Sequence, residues 1–133
     1  MNVRAYEKAD LEQLQKLHAA QGFAYPFPDL DDGTFVVGAV GCDEHGSARL
    51  GAFLQVTAQA YLLMDGQHGT PAERWRTLLT VHERMRREAE RLGFKDIQLW
   101  VPPNLKSGKR FQKRLEELGW VRDYWPNYTF YLR

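Results

Sequence analysis

The chain has 133 residues, with 44% hydrophobic and 26% charged residues, a formal net charge of +1 and one cysteine, Cys42. That length and composition fit one soluble globular domain, residues 1–133, with a core that needs no staples. The near-zero charge argues against a nucleic-acid or membrane-surface partner, and a single cysteine excludes an internal disulfide and a cysteine-based zinc cluster. The opening MNVRAYEKAD has no apolar signal core, and the apolar runs are too short to span a bilayer, so a cytoplasmic protein with no membrane partner is expected.

In chain order, Val3 to Tyr6 reads as a first strand. Asp10 is placed to cap a helix that starts at Leu11, with Gln13 at the box position and Gly22 as its stop. Leu11, Leu14, Leu17 and His18 share one face, which makes His18 a partly buried histidine at the edge of that face. FAYPFPDLDDG, residues 23–33, has two prolines and three aspartates and no period, so it is a loop. Its rings, Phe23, Tyr25 and Phe27, are either a core plug or one wall of a binding site.

Thr34 to Val40 and Ala48 to Thr57 are expected to form an antiparallel hairpin about the polar turn at Cys42 to Gly46. A strand over Ala60 to Met64 leads into the loop Asp65 to Gly69, where Asp65 suits the turn before Gly66. A long helix follows. Thr70 is a capping residue, Pro71 suits the first helical position, and Glu73 completes a capping box. Trp75, Leu78, Leu79, His82, Met85, Ala89 and Leu92 recur with a helical period, and the arginines and glutamates between them form a solvated face. Gly93 is expected to end the helix, with Phe94 folding back on its last turn. Ile97 to Val101 alternates as a strand before Pro102 and Pro103, completing a βαβ unit with a right-handed crossover. PPNLKSGK is a loop, and a second amphipathic helix turns Phe111, Leu115 and Leu118 inward and ends at Gly119. Trp120 to Asp123 and Tyr128 to Leu132 read as a closing strand pair. No cluster of metal ligands stands out. The basic set Lys106, Lys109, Arg110, Lys113 and Arg114 is interrupted by Glu116 and Glu117, which disfavours a nucleic-acid patch.

This order of elements, with the phrases VRAYEKADLEQLQKLH, FVVGAVGCDEHGSARLGAFLQV and RFQKRLEELGW, resembles the GNAT superfamily of acyl-CoA-dependent N-acetyltransferases over nearly the whole chain. The resemblance implies an α/β (α+β) fold, a mixed, strongly twisted sheet of about six to seven strands with helices on both faces. It implies that the fourth and fifth strands splay apart and that the pantetheine arm of acetyl-CoA pairs with backbone at Leu62, Leu63 and Met64. The diphosphate would rest on the loop and helix start that follow, where a shifted loop would present the backbone donors of Gln67, His68, Gly69 and Thr70, and Arg74 or Arg76 would either meet a phosphate or lie on the solvated face; Asn104, Lys106 and Lys109 would lie toward the rest of the cofactor. By the same resemblance Asp65 stands for the general base, and Tyr124, or else Tyr128 or Tyr131 of the closing strands, substitutes for the usual tyrosine acid. Phe23, Tyr25 and Phe27 would shape the site of a small-molecule or protein amine acceptor, and the closing strands would offer a homodimer edge.

The family's phosphate motif, Q/R-x-x-G-x-G/A, departs here. Aligned on Leu78 and Leu79, Glu73 and Trp75 stand at the glycine positions, and Leu115 stands where the late-helix tyrosine is common. Two functions therefore follow as expectations. One is transfer of an acetyl group from acetyl-CoA to a primary amine. The other is a GNAT-fold protein that has lost acetyl-CoA and binds a ligand or a protein.

Overall fold

The computed structural model describes residues 1–106 and 108–132. Its elements are β1 (Asn2–Ala5), a 3-10 turn (Lys8–Asp10), α1 (Leu11–Gln21), β2 (Phe35–Cys42), β3 (Ala48–Gln55), β4 (Ala58–Ala60), α2 (Pro71–Arg91), β5 (Ile97–Leu99) and α3 (Gly108–Glu117). The chain divides into two units, Met1–Gln98 and Leu99–Arg133, and each is described by itself.

In the first unit β1, β2 and β3 form an antiparallel sheet with β2 in the middle. The β2–β3 turn is built around Asp43. Its Oδ1 accepts the backbone N–H of His45 and of Ser47, both at 3.0 Å, and its Oδ2 accepts Arg49 Nε at 2.9 Å. Those bonds, the Ser47 amide foremost, hold the Asp43 carboxyl below its usual range. Gly46 takes the left-handed conformation that such a turn needs.

The helix that packs on this sheet is α1, which lies against β3. Leu14, Val40, Cys42 and Ala48 are the buried apolar residues, with Tyr6, Leu17, Phe27 and Phe53 packed around them. Phe53 and Tyr6 pack closely over the bare Gly38 of β2. A Cβ at Gly38 would sit 2.8 Å from the Phe53 ring and 3.0 Å from Tyr6 Cβ, closer than real contacts allow. Tyr6 and Phe53 meet edge to face at 5.3 Å between ring centroids. Cys42 is buried at the end of β2 rather than in the turn, so it lies in the core.

Asp10 does not cap α1 with its side chain, as its position suggests; a 3-10 turn precedes the helix and the carboxylate faces the other way. Arg4 donates to both oxygens, Nη1 to Oδ2 at 2.8 Å and Nη2 to Oδ1 at 2.7 Å, and the Glu7 N–H donates to Oδ2 at 2.9 Å. A bidentate pair with a guanidinium, joined by a bond from the Glu7 amide, outcompetes a single cap bond to one backbone N–H. Asp10 is buried, so the pair also fixes the chain's entry into α1.

The second sheet is the pair β4–β5. Here the structure departs from the forked strands that the resemblance implies. β4 and β5 lie side by side, β4 ends at Ala60, and Tyr61 to Met64 are exposed and in no strand. A four-residue apolar run without polar alternation settles as a strand only when both faces are covered. α2 is capped at both ends, but none of its residues is buried: Trp75, Leu78, His82 and Ala89 are half-buried, and Met85 and Leu92 are exposed. Its C-terminus closes as a double turn, Gly93 N–H to Glu90 O and Phe94 N–H to Ala89 O, with Gly93 at φ 84°.

In the second unit, α3 ends the same way: Gly119 N–H bonds Glu116 O and Trp120 N–H bonds Leu115 O. Phe111, Leu115 and Leu118 are half-buried, while the charged residues between them are exposed. Ser107, within the expected PPNLKSGK loop, lies outside the described residues. The expected closing strand pair is not formed: residues 121–132 are exposed and in no strand. A lone hairpin is marginal in water, and no third strand is described after β5 in this unit to bury its face. Five strands in two sheets are thus described, against the six to seven of one twisted sheet.

The Asp10 carboxyl is lowered from 3.8 to about 2, chiefly by the Arg4 hydrogen bond and then by the Glu7 amide. A depressed folded-state value means the stabilisation is complete above the unfolded value of 3.8 and is lost as pH falls toward about 2. Asp10→Asn removes the charged acceptor of three N–H donors, Arg4 Nη1, Arg4 Nη2 and the Glu7 amide, and is expected to cost about 1–3 kcal/mol at neutral pH. In urea titrations across acid pH, the variant's stability should fall less steeply over that window than the parent's.

Candidate functional site

The site that the sequence points to is the loop and first turn ahead of α2. Asp65 begins it as an Asx turn: Oδ1 accepts the Gln67 N–H at 2.9 Å, and the backbone carbonyl accepts His68 N–H at 3.4 Å. The carboxylate is thereby a turn-former at this position, as its place before Gly66 suggests. Gly69 then takes φ 70°, and a Cβ there would sit 2.9 Å from Glu73 Oε2.

Thr70 and Glu73 exchange hydrogen bonds. Thr70 Oγ1 accepts the Glu73 N–H at 3.1 Å, and Glu73 Oε2 accepts the Thr70 N–H at 2.7 Å. Pro71 has no N–H to offer. Of the four amide positions from 70 to 73, this leaves the N–H of Ala72. A helix N-terminus binds an anion through exposed amide hydrogens and the positive end of its dipole. Here the Glu73 carboxylate already occupies that place.

Arg74 closes the other side. Its Nη1 donates to the backbone carbonyls of Gly69 at 2.6 Å and His68 at 3.2 Å. The guanidinium therefore ties the helix back onto its own loop. Trp75 is half-buried on the next position. Bulk, a carboxylate and an engaged arginine stand where a bare amide cradle would receive a diphosphate, so the residues present do not fit that group.

The other candidate residues fall in both units. Leu62, Leu63 and Met64 are exposed, Leu63 at 95%. In the second unit Tyr124 is exposed, with the Arg122 guanidinium carbon 5.2 Å from its ring centroid. Asn104, Lys106 and Lys109 are exposed, the first two in the loop after β5 and the third in the first turn of α3. No group of three or more histidine, cysteine, aspartate or glutamate side chains is arranged to hold a metal among the described residues, and no described helix is long and apolar enough to cross a membrane.

Phe23, Tyr25 and Phe27 do converge, and they converge on His18. Their ring centroids lie 5.8, 5.0 and 5.6 Å from the imidazole, and Phe23 stacks on Tyr25 at 5.1 Å with planes 17° apart. Phe27 reaches inward to the core, whereas Phe23 and Tyr25 remain partly exposed. His18 Nε2 is buried with no hydrogen-bond partner among the described residues. The helical period put His18 at the edge of the α1 face but carried no sign of this cluster, because a ring contact across a loop leaves no periodic trace. The Arg74 clasp was equally invisible: its acceptors are backbone carbonyls.

No family model matches the chain, and comparison with curated proteins and with solved structures gives no match.

The cap is open to direct measurement. Thr70→Ala removes one half of the exchange and should destabilise by about 1 kcal/mol. Glu73→Gln, whose side-chain oxygen accepts the same bond, should cost less than Glu73→Ala. Urea titration followed by helix circular dichroism orders the three variants.

Proposed function

We propose that this chain is a GNAT-like domain that does not seat acetyl-CoA on the start of α2 and that works as a ligand- or protein-binding module. The GNAT-like part is supported by the element order β1, α1, β2, β3, β4, α2, β5, α3 and by the antiparallel sheet β1–β2–β3. One observation carries the loss of the cofactor: Thr70 and Glu73 satisfy each other's backbone N–H groups, and Arg74 Nη1 donates to the loop carbonyls of His68 and Gly69. A diphosphate arriving there would have to displace a carboxylate of its own charge sign before gaining an amide.

A second reading is an N-acetyltransferase that acts on a primary amine, with Asp65 as base and Tyr124 as acid. The exposed backbone of Tyr61 to Met64, held in no strand, favours it, because an extended arm pairs with such a segment. That reading needs a diphosphate seat other than the first turn of α2.

Thermal denaturation with acetyl-CoA separates the two. A ligand held at ~100 times its dissociation constant stabilises by roughly 2.7 kcal/mol. The binding-module reading expects no change in melting temperature at millimolar acetyl-CoA. A saturable rise of several degrees would establish cofactor binding, and the enzyme reading would then take precedence.

A further inference from the structure

We propose that the second unit, Leu99–Arg133, carries a binding surface for single-stranded nucleic acid. The exposed face of α3 meets the phosphates, and the rings after Gly119 stack on the bases. This goes beyond the binding-module reading, which concerns the start of α2 in the first unit.

The net charge of +1 conceals a division. Residues 99–133 hold seven basic and three acidic residues, a net +4, whereas residues 1–98 hold eleven and fourteen, a net −3. The total therefore understates the field of the second unit, which attracts an anionic partner. In the first unit carboxylates take up cations, as in Arg4–Asp10, Arg49–Asp43 and the chain Glu83–Arg86–Glu90. In the second, Arg114 pairs with Glu117 at 3.1 Å, so one of the two glutamates that interrupt the basic set is already neutralised. Lys106, Lys109, Arg110 and Lys113 are exposed and make no ion pair among the described residues. Lys109 and Arg110 stand four and three residues before Lys113, on the face of α3 opposite Phe111 and Leu115. Like charges at that spacing destabilise a helix, and phosphates laid across them relieve the repulsion.

Charge alone suits any anion; the rings narrow the class. Tyr124, Tyr128, Phe130 and Tyr131 are 80–91% exposed. Their segment leaves the last turn of α3, where Trp120 N–H bonds Leu115 O, so the rings begin just past the helix that holds the cations. Every base has a π-face, and stacking on an exposed ring needs no particular sequence. The Arg122 guanidinium lies 5.2 Å from the Tyr124 ring centroid, which sets a cation and a ring side by side. In a duplex the bases stack on each other, so an unpaired strand is what can offer them to these rings. A membrane surface fits less well. An interfacial helix turns its apolar face to the lipid, whereas Phe111, Leu115 and Leu118 are half-buried and the exposed face of α3 is charged.

The test is a fluorescence-anisotropy titration of the full chain against a labelled thymidine oligomer of about twenty nucleotides, without acetyl-CoA. Its counterparts are an abasic oligomer of the same length, which keeps the phosphates and lacks the bases, and phosphatidylserine vesicles read by co-sedimentation. Saturable binding to the thymidine oligomer is expected at about 100 mM salt, and binding at least fivefold weaker to the abasic one. Lys109→Gln with Lys113→Gln should weaken the thymidine oligomer at least tenfold and lower the slope of log affinity against log salt by about 1.4. Tyr128→Ala with Phe130→Ala should weaken it at least fivefold and leave that slope unchanged. All four side chains are exposed, and melting temperatures equal to the parent's check that both variants fold. No saturable binding, equal binding of the abasic oligomer, an unchanged affinity in either double variant, or binding to the vesicles alone would overturn the surface. The start of α2 supplies none of these residues. Failure here therefore leaves the closed helix start standing, and cofactor binding in the melting experiment leaves this result standing.

Discussion

The reciprocal bond between Thr70 and Glu73 is the constraint from which the functional reading descends. A helix start is generous to anions only while its first amides point at nothing. Here Pro71 removes one hydrogen, the Thr70 hydroxyl takes that of Glu73, and the Glu73 carboxylate takes that of Thr70. The same carboxylate complements the positive end of the helix dipole, so the site is electrically satisfied before a ligand arrives. Arg74 reinforces this state by holding the carbonyls of His68 and Gly69, which fixes the loop against the helix. Gly69, with its positive φ and no side chain, lets Glu73 fold back so closely. Gly69, Thr70, Pro71, Glu73 and Arg74 act as one latch.

The other centre of order lies around α1. The Arg4–Asp10 pair pins the end of β1 to the start of α1, and α1 in turn places Leu14 against the sheet and His18 beneath the aromatic loop. The bare Gly38 leaves room for the Phe53 ring, and Tyr6 packs on the edge of that ring. Hence the cluster at His18 stands on a helix that is itself anchored by a buried carboxylate. The position of a loop on such a scaffold is set by the scaffold, which is what a recognition site requires.

Local features were legible in the residues; features that need a distant partner were not. The Thr70–Glu73 box, the Gly93–Phe94 stop, the Gly22 stop and the hairpin about Asp43 are all written within a few consecutive residues, and the structure has them. Asp10 misled because its local role as a cap lost to an arginine six residues away. Tyr61 to Met64 and the segment after Gly119 misled for a related reason. Their apolar content suits a strand, but a strand also needs a neighbour and a covered face, and neither is written in the segment itself. At the site, the latch was legible from Thr70 to Glu73, while the Arg74 clasp and the His18 nitrogen, which has no hydrogen-bond partner among the described residues, emerge only in three dimensions.

The closure of α2 is tested most directly at its own amides. In a 1H–15N titration with inorganic pyrophosphate at fixed ionic strength, the backbone amides of Thr70, Ala72, Glu73 and Arg74 report any anion that seats there. The latch predicts flat responses at Thr70 and Glu73 into the millimolar range. Saturable shifts at both, moving together with one dissociation constant, would mean that the amides are released to the anion, and the account of a closed helix start would be wrong.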